Sequence, residues 1–233
     1  MANCLFVYAK AIIESHEKGL KLITPTWLNF SLGTYLRGQK DKRHYFGLFN
    51  SKDEIRGIKK AFILLFERKN IIVKEGIEDF FSPLLGYSKL INEYFLNHIS
   101  PSILSRVDSY DFNNCIAVHV RLGDFPEKRR TPISWYKDKI ISEMGKRTFL
   151  LFSDGSDEEL SELLVLPNVR RVFFGNALAD IIAMSRCTFI IGSDSSFSAW
   201  ASFLGQVPCL FNRLQFGTIL EDKSNQRIEF TQL

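Results

Sequence analysis

The sequence predicts an α/β fold built on a parallel, Rossmann-like sheet, and three observations predict it. Residues 115–120, CIAVHV, form a short apolar run rich in β-branched residues and bounded upstream by Asn113 and Asn114, as expected of a strand buried on both faces. From there to residue 211, strand-like runs alternate with helical stretches, an order that gives parallel strands joined by right-handed crossovers. Finally, IIGSDSSFSAW at 190–200 reads as a strand, a polar turn and the first turns of a helix, the unit from which such sheets build ligand sites.

The elements follow in order. Leu5, Ala9, Ile12, Ile13 and His16 recur at helical spacing from Asn3, and Gly19 sits where a C-terminal cap belongs. LKLIT at 20–24 reads as a strand stopped by Pro25. Residues 25–50 show no clean period and read as a long ordered loop or flap. A helix over 52–66, a strand over 70–76 and a helix over 87–99, ended by Pro101, complete this half. A doubly wound domain opens on a strand, but here the helix starts almost at Met1, so either the half lacks its first strand or the chain begins late relative to a fuller parent. Beyond the central strand, FPEKRRTP at 125–132 is a basic loop. A helix over 135–144 follows, with Ser134 as N-cap and Gly145 as C-cap. A strand spans 147–154, and Ser156 with Glu159 forms a capping box ahead of the stripe Leu160, Leu163 and Leu164. Strands over 170–175, 188–194 and 207–211 then alternate with helices over 177–187 and 195–205.

Composition bounds the function. At 233 residues the chain suits one large domain or two small ones, and 45% hydrophobic with 24% charged residues is ordinary for a globular protein. Apolar runs such as AFILLF at 61–66 are too short to span a bilayer. MANCLFVYAK lacks the basic start and extended apolar core of a secretory signal, and Cys4, Cys115, Cys187 and Cys209 are scattered without metal-ligand spacing, so a cytoplasmic, reducing setting is expected. Arg37, Lys40, Lys42, Arg43, Lys52, Arg56, Lys59, Lys60, Arg68 and Lys69 crowd one region, and Lys128, Arg129 and Arg130 another. Such clusters are either solvated surface or a footprint for an anionic partner. No nucleic-acid-binding module accompanies them, so nucleic acid is not an expected partner.

Chemistry gathers at strand ends. Alternation along 115–120 sends His119 and Arg121 to one side, and Gly123 permits the turn that follows. Ligands of open parallel sheets lie outside the carboxyl ends of the strands, where this sequence places Arg121, Asp154 and Asp194. An Arg fork suits phosphate; paired with Asp124 it would be a surface ion pair instead. Ser195, Ser196 and Ser198, at a helix start with its unsatisfied N–H groups, make an anion site at a positive dipole end. Read alone, the same stretch is an N-cap followed by core contacts from Phe197, Trp200 and Phe203. Sharing one sheet edge, the two clusters suit a diphosphate. Asp154 either accepts from the adjacent N1–H and N2–H donors of guanine or caps the turn that follows it.

HVRLGD at 119–124 resembles the His-x-Arg-x-Gly-Asp motif of the family 11 glycosyltransferases, the bacterial and animal α1,2-fucosyltransferases. SWYKDKI at 134–140, FLLFSDG at 149–155, ADIIAMSRC at 179–187 and IIGSDSSFSAWASFLG at 190–205 follow in that family's order, and NCLFVYAKAI at 3–12 looks like its opening helix. FSDG stands where Phe-Ser-Asp-Asp is commoner, Ala199 stands where a second Trp is frequent, and the family's Gly-Gly-x-Gly-Asn turn does not precede Asn3. The resemblance implies a GT-B-like fold of two Rossmann-like halves, an acceptor-side half at 1–113 and a GDP-fucose-binding half at 114–233. It implies inverting, metal-independent transfer of fucose from GDP-fucose to a glycan hydroxyl, α1,2-linked, in surface polysaccharide or lipopolysaccharide synthesis. Arg121 would bind the donor diphosphate, and His119 and Asp124 would organise it. Gly123, Asp154, Ser193, Asp194, Ser195, Ser196 and Phe197 would complete the donor site. Asp124 and Glu127 are the candidate bases. No cofactor is implied, and the partners are a nucleotide-sugar donor and a glycan acceptor, with peripheral contact to a membrane or lipid-linked acceptor through the basic segments. The alternative is a truncated donor-binding protein without turnover.

Overall fold

The computed structural model describes residues 1–25, 35–36, 41–43, 45, 47–50, 52–77, 79–123 and 125–212. Cys115–Val120 forms β1, buried along its whole length because strands pair with it on both sides. Thr148–Ser153 (β2), Val169–Arg171 (β3), Phe189–Gly192 (β4) and Cys209–Phe211 (β5) complete a parallel sheet of order β3-β2-β1-β4-β5. The order reverses direction between β1 and β4, which opens a crevice at their carboxyl ends.

Strand alternation divides the packing into two layers. Ile116, Val118, Phe149, Leu151 and Ile191 face Trp135, Tyr136 and Ile140 of the helix Ile133–Ser142, together with Leu160 and Leu163. On the other face, Ala117, Leu150, Phe152, Ile190 and Phe211 join a larger core with the helices Ala2–Lys18 (α1), Ser88–His98, Pro101–Asp108, Ala177–Ser185 and Ser196–Gly205. Numbered along the chain, with Gly57–Phe66 as α2 and the short Ser161–Leu164 as α6, these are α3, α4, α7 and α8, and Ile133–Ser142 is α5. Trp200 of α8 is wholly buried against Phe6 of α1 at 4.9 Å and Phe81 at 5.0 Å between ring centroids, so the N-terminal helix is anchored to α8 by aromatic packing. No described helix is long and apolar enough to cross a membrane.

The parallel α/β class and each strand of the C-terminal half form as expected, several of them shorter. The strand expected over 170–175 stops at Arg171, because the Phe174 amide turns to the Asp180 carboxylate (2.7 Å) and Gly175 leaves at φ 101. The N-terminal half differs more. Before β1 the described residues form no strand, only isolated bridges pairing Ile23 with Ile55 and Phe49 with Ile99. The strand expected at 20–24 reduces to the first of these, since Pro25 has no N–H to extend it. The strand expected at 70–76 does not form: Arg68–Asn70 is a 3₁₀ turn, and Ile72 and Val73 are exposed with no partner strand among the described residues. Ile55 and buried Glu54 hold the chain out of helical geometry, so α2 begins at Gly57, not at 52. The helix expected over 87–99 does stop before Pro101, at His98, and Pro101 then opens a further helix, with Ser100 before it, that the sequence reading did not foresee. Helix α5 starts two residues early behind Pro132, so Ser134 and Gly145 cap nothing. The Ser156–Glu159 box does form, with reciprocal bonds of 2.8 and 3.2 Å closing the turn before α6.

Candidate functional site

A cleft of about 930 Å³ runs along the carboxyl edge of the sheet. Its chemistry begins at the end of β1. Asp154, just past β2, pairs with Arg121 through Oδ2, while its Oδ1 accepts from the amides of Leu122 (2.8 Å) and Gly123 (3.2 Å). One carboxylate thus fixes both the guanidinium and the turn carrying it. This is the capping role foreseen for Asp154, exerted on the turn after β1 and not on its own.

A second clamp comes from β4. Ser193 Oγ donates to the His119 carbonyl (2.8 Å) and accepts from the Arg121 amide (2.8 Å). Its single proton is then used, so Tyr136 must donate to it across their 2.9 Å contact. Ser193 is therefore saturated and buried behind the cleft, with no place in its lining. The structure makes it a strut, in contrast to the ligand contact the sequence reading gave it.

His119 lines the cleft, stacked on Phe197 at 4.8 Å, with Nδ1 sharing a 2.6 Å hydrogen bond with Ser198 Oγ. Burial drives its pKa well below the ordinary range, Asp154 opposing and Arg121 adding to the fall, so the imidazole is neutral at pH 7. Helix α8 comes this close because Gly192 has no side chain: a Cβ there would lie 2.7 Å from Ser198 Cβ. Its first turn, Ser195 to Phe197, lines the cleft with Asp194. The first intrahelical acceptor, the Ser195 carbonyl, is reached by Ala199 (3.2 Å), which leaves the usual orphan amides at the helix start. Ser195 Oγ is buried with no hydrogen-bond partner among the described residues, and Ser196 Oγ donates to Asn3 Oδ1 of α1 at 2.9 Å.

Of the residues expected from sequence, His119, Arg121, Gly123, Asp154, Asp194, Ser195, Ser196 and Phe197 meet in this cleft. Asp124 lies outside the described residues, and Glu127 is exposed at the start of a 3₁₀ turn away from the lining. Sequence reasoning missed Asp41, Arg43, Tyr45 and Asp180, which also line it. Asp41 accepts from Arg43 N (2.7 Å), Tyr45 OH (3.1 Å) and the Ala177 amide (3.1 Å), so it ties part of the aperiodic 25–50 stretch to the start of α7. Asp180 is partly accessible from the cleft yet enclosed enough for burial to push its pKa up to about 8, Phe174 N lowering and Asp41 raising it. The only sequence signal for Asp180 was an acid in the otherwise apolar ALADIIAMS, which reads equally as a dipole partner at a helix start.

No family model matches the chain, and no curated protein matches it. Solved structures do. The alpha-1,6-fucosyltransferase NodZ co-crystallized with GDP aligns at TM-score 0.56 and 16% identity, covering 91% of this chain and 91% of that one. NodZ soaked with GDP-fucose aligns at 0.56 and 17%, covering 92% of each chain. NodZ from Bradyrhizobium aligns at 0.53 and 16%, covering 89% of this chain and 90% of that one. At this identity the likeness establishes the fold: the α/β class with a parallel sheet that the sequence predicted, matching GT-B structures, while the second Rossmann-like half implied by the resemblance does not form a sheet among the described residues.

Proposed function

We propose that this chain is a fucosyltransferase that binds GDP-fucose with its diphosphate between Arg121 and the first turn of α8. The observation that carries the reading is the meeting of a clamped guanidinium from β1 and a helix N-terminus from β4 in one cleft at the point where strand order reverses. The HVRLGD resemblance and a fold shared with an enzyme soaked with GDP-fucose support fucose as the sugar. Base recognition falls to Asp180: Asp154 is spent on Arg121 and two amides, whereas one oxygen of Asp180 remains for the N1–H and N2–H of guanine.

In the transfer, an acceptor hydroxyl attacks C1 of fucose and the bond from C1 to the β-phosphate oxygen breaks. GDP departs with the electron pair, and the hydroxyl proton passes to a base, for which Asp124 and Glu127 are the candidates in the sequence. Charge grows on the β-phosphate, so fixed donors from Arg121 and α8 stabilise the transition state more than the ground state. We take the linkage as α1,2 from the resemblance, although the fold neighbours are α1,6 enzymes. Inversion, metal independence and cytoplasmic residence belong to the same reading. Residues 1–113 form the acceptor side, through Asn3, Asp41, Arg43 and Tyr45.

The test is thermal unfolding with GDP, with UDP and without nucleotide, for the wild type and Arg121→Ala. At about a hundredfold excess over Kd, GDP adds roughly 2.7 kcal/mol to the wild type, and the variant loses that gain. Equal shifts with GDP and UDP, or an undiminished GDP shift in Arg121→Ala, would sink the donor site. Transfer from GDP-fucose should fall at least roughly 10²-fold in the same variant, by analogy with loss of one oxyanion donor. GDP binding with no transfer to any fucosylatable glycan would favour the donor-binding alternative.

A further inference from the structure

Helix α2 is turned inside out. Ile58, Phe62, Leu65 and Phe66 recur at i, i+4, i+7 and i+8, the stripe that normally faces a core. Here they are 90%, 52%, 74% and 73% exposed, and α2 has no buried residue. The side towards the protein instead carries Lys60, whose Nζ donates to the Thr24 carbonyl at 2.6 Å. The tether is polar and the free face apolar.

The outward face is apolar along the length of the helix. The rings of Phe62 and Phe66 meet at 5.0 Å, and Ile72 and Val73 beyond the helix are also exposed. Arg56, Lys59 and Lys69 flank it, all exposed, with Glu67 between. Contiguous apolar surface of this kind marks a docking site. The cores of protein interfaces are depleted of Lys, whereas Phe, Leu and Ile bordered by Lys and Arg is what an interfacial helix offers anionic headgroups. At ten residues the helix is about 15 Å long, too short to span and suited to lie flat.

We propose that α2 docks this protein on an anionic membrane, with Phe62, Leu65 and Phe66 in the boundary between headgroups and acyl chains and Arg56, Lys59 and Lys69 against lipid phosphates. The surface lies outside the cleft lining and does not depend on the donor reading.

Co-sedimentation with vesicles tests it, comparing pure phosphatidylcholine with equal parts phosphatidylcholine and phosphatidylglycerol. The wild-type chain should partition at least tenfold better onto the anionic vesicles, each basic residue contributing about fivefold. Arg56→Glu/Lys59→Glu/Lys69→Glu should abolish that preference. Ile58→Ser/Leu65→Ser/Phe66→Ser should remove binding altogether with its lipid-free melting temperature unchanged, and Leu65→Ser alone should weaken it if the triple variant fails to fold. Equal partitioning onto both vesicle types, or full binding by the serine variants, overturns the proposal. A lipid-free dimer that the serine variants convert to monomer also overturns it, by assigning the face to a second copy of the chain.

Discussion

Replacing Ser193 by alanine separates a strut from a ligand contact. The hydroxyl makes contacts of 2.8, 2.8 and 2.9 Å and is buried. Without it the His119 carbonyl keeps the Ser193 amide at 2.9 Å, and the Tyr136 hydroxyl keeps Thr131. The Arg121 amide loses its Ser193 acceptor, a loss of about 1–3 kcal/mol when a donor is left unsatisfied out of water, and the weakened Tyr136 adds about 1 kcal/mol. The sum is about 2–4 kcal/mol, which at about 3 °C per kcal/mol for a chain of this size lowers Tm by about 6–12 °C. Calorimetry on ligand-free Ser193→Ala reads this directly. GDP stabilisation should shrink as well, because Arg121 is no longer held at its backbone, but by less than in Arg121→Ala. An unchanged ligand-free Tm together with complete loss of the GDP shift would show that the hydroxyl faces nucleotide and that the strut assignment is wrong.

Asp180 makes stability depend on pH in an unusual direction. Its folded pKa, near 8, lies above the ordinary 3.8, so between those values the unfolded chain sheds the proton while the folded chain keeps it, and this group's contribution is lost as pH rises. Asp180→Asn should therefore flatten the fall in stability between about pH 4 and 8 and raise Tm at neutral pH; a lower neutral Tm would mean that the folded carboxyl is ionised. Because guanine needs the carboxylate, wild-type GDP affinity should rise with pH towards and past 8, a trend absent in Asp180→Asn titrated by calorimetry. Gly192→Ala should cost about 1–3 kcal/mol, since a Cβ 2.7 Å from Ser198 Cβ and 3.1 Å from Cys209 Sγ forces α8 off the sheet. NMR of the His119 ring should then report loss of the Ser198 bond; an unmoved ring with unaltered stability would refute the close-packing account.

The C-terminal half was legible because each of its signals is local. A run such as CIAVHV specifies a strand buried on both faces wherever it sits, and the strand-to-helix turn at 193–196 specifies a helix start with orphan amides by backbone geometry alone. Errors there concern element ends, where a tertiary contact decided: the Asp180 carboxylate draws off the Phe174 amide and cuts β3 short. In the N-terminal half the deciding contacts are long-range throughout. LKLIT and NIIVKEG have strand composition, but a strand needs a partner, and 20–24 finds one bridge while 70–76 finds none among the described residues. Glu54 reads as a helical surface acid, yet it is buried because Tyr8 and Tyr94, distant in sequence, both donate to its carboxylate.

The same distinction separates groups that face the cleft from those that position them. Sequence places residues on a strand end but not behind or in front of it, so Ser193 and Ser195, two positions apart, were indistinguishable. What divides them is Tyr136, which reaches Ser193 from the opposite layer of the sheet, while Ser195 begins the helix that turns into the cleft. Asp154 was open for a similar reason: a carboxylate past a strand can read a base or brace a loop, and the choice rests on whether the neighbouring turn needs an acceptor. Leu122 and Gly123 do need one, and meeting that need holds Arg121 in place. A carboxylate committed to that brace cannot be withdrawn to read a base without releasing the guanidinium. In the proposed fucosyltransferase, donor specificity is therefore better carried by Asp180, outside the brace, where it would respond to the base while Arg121 stays fixed.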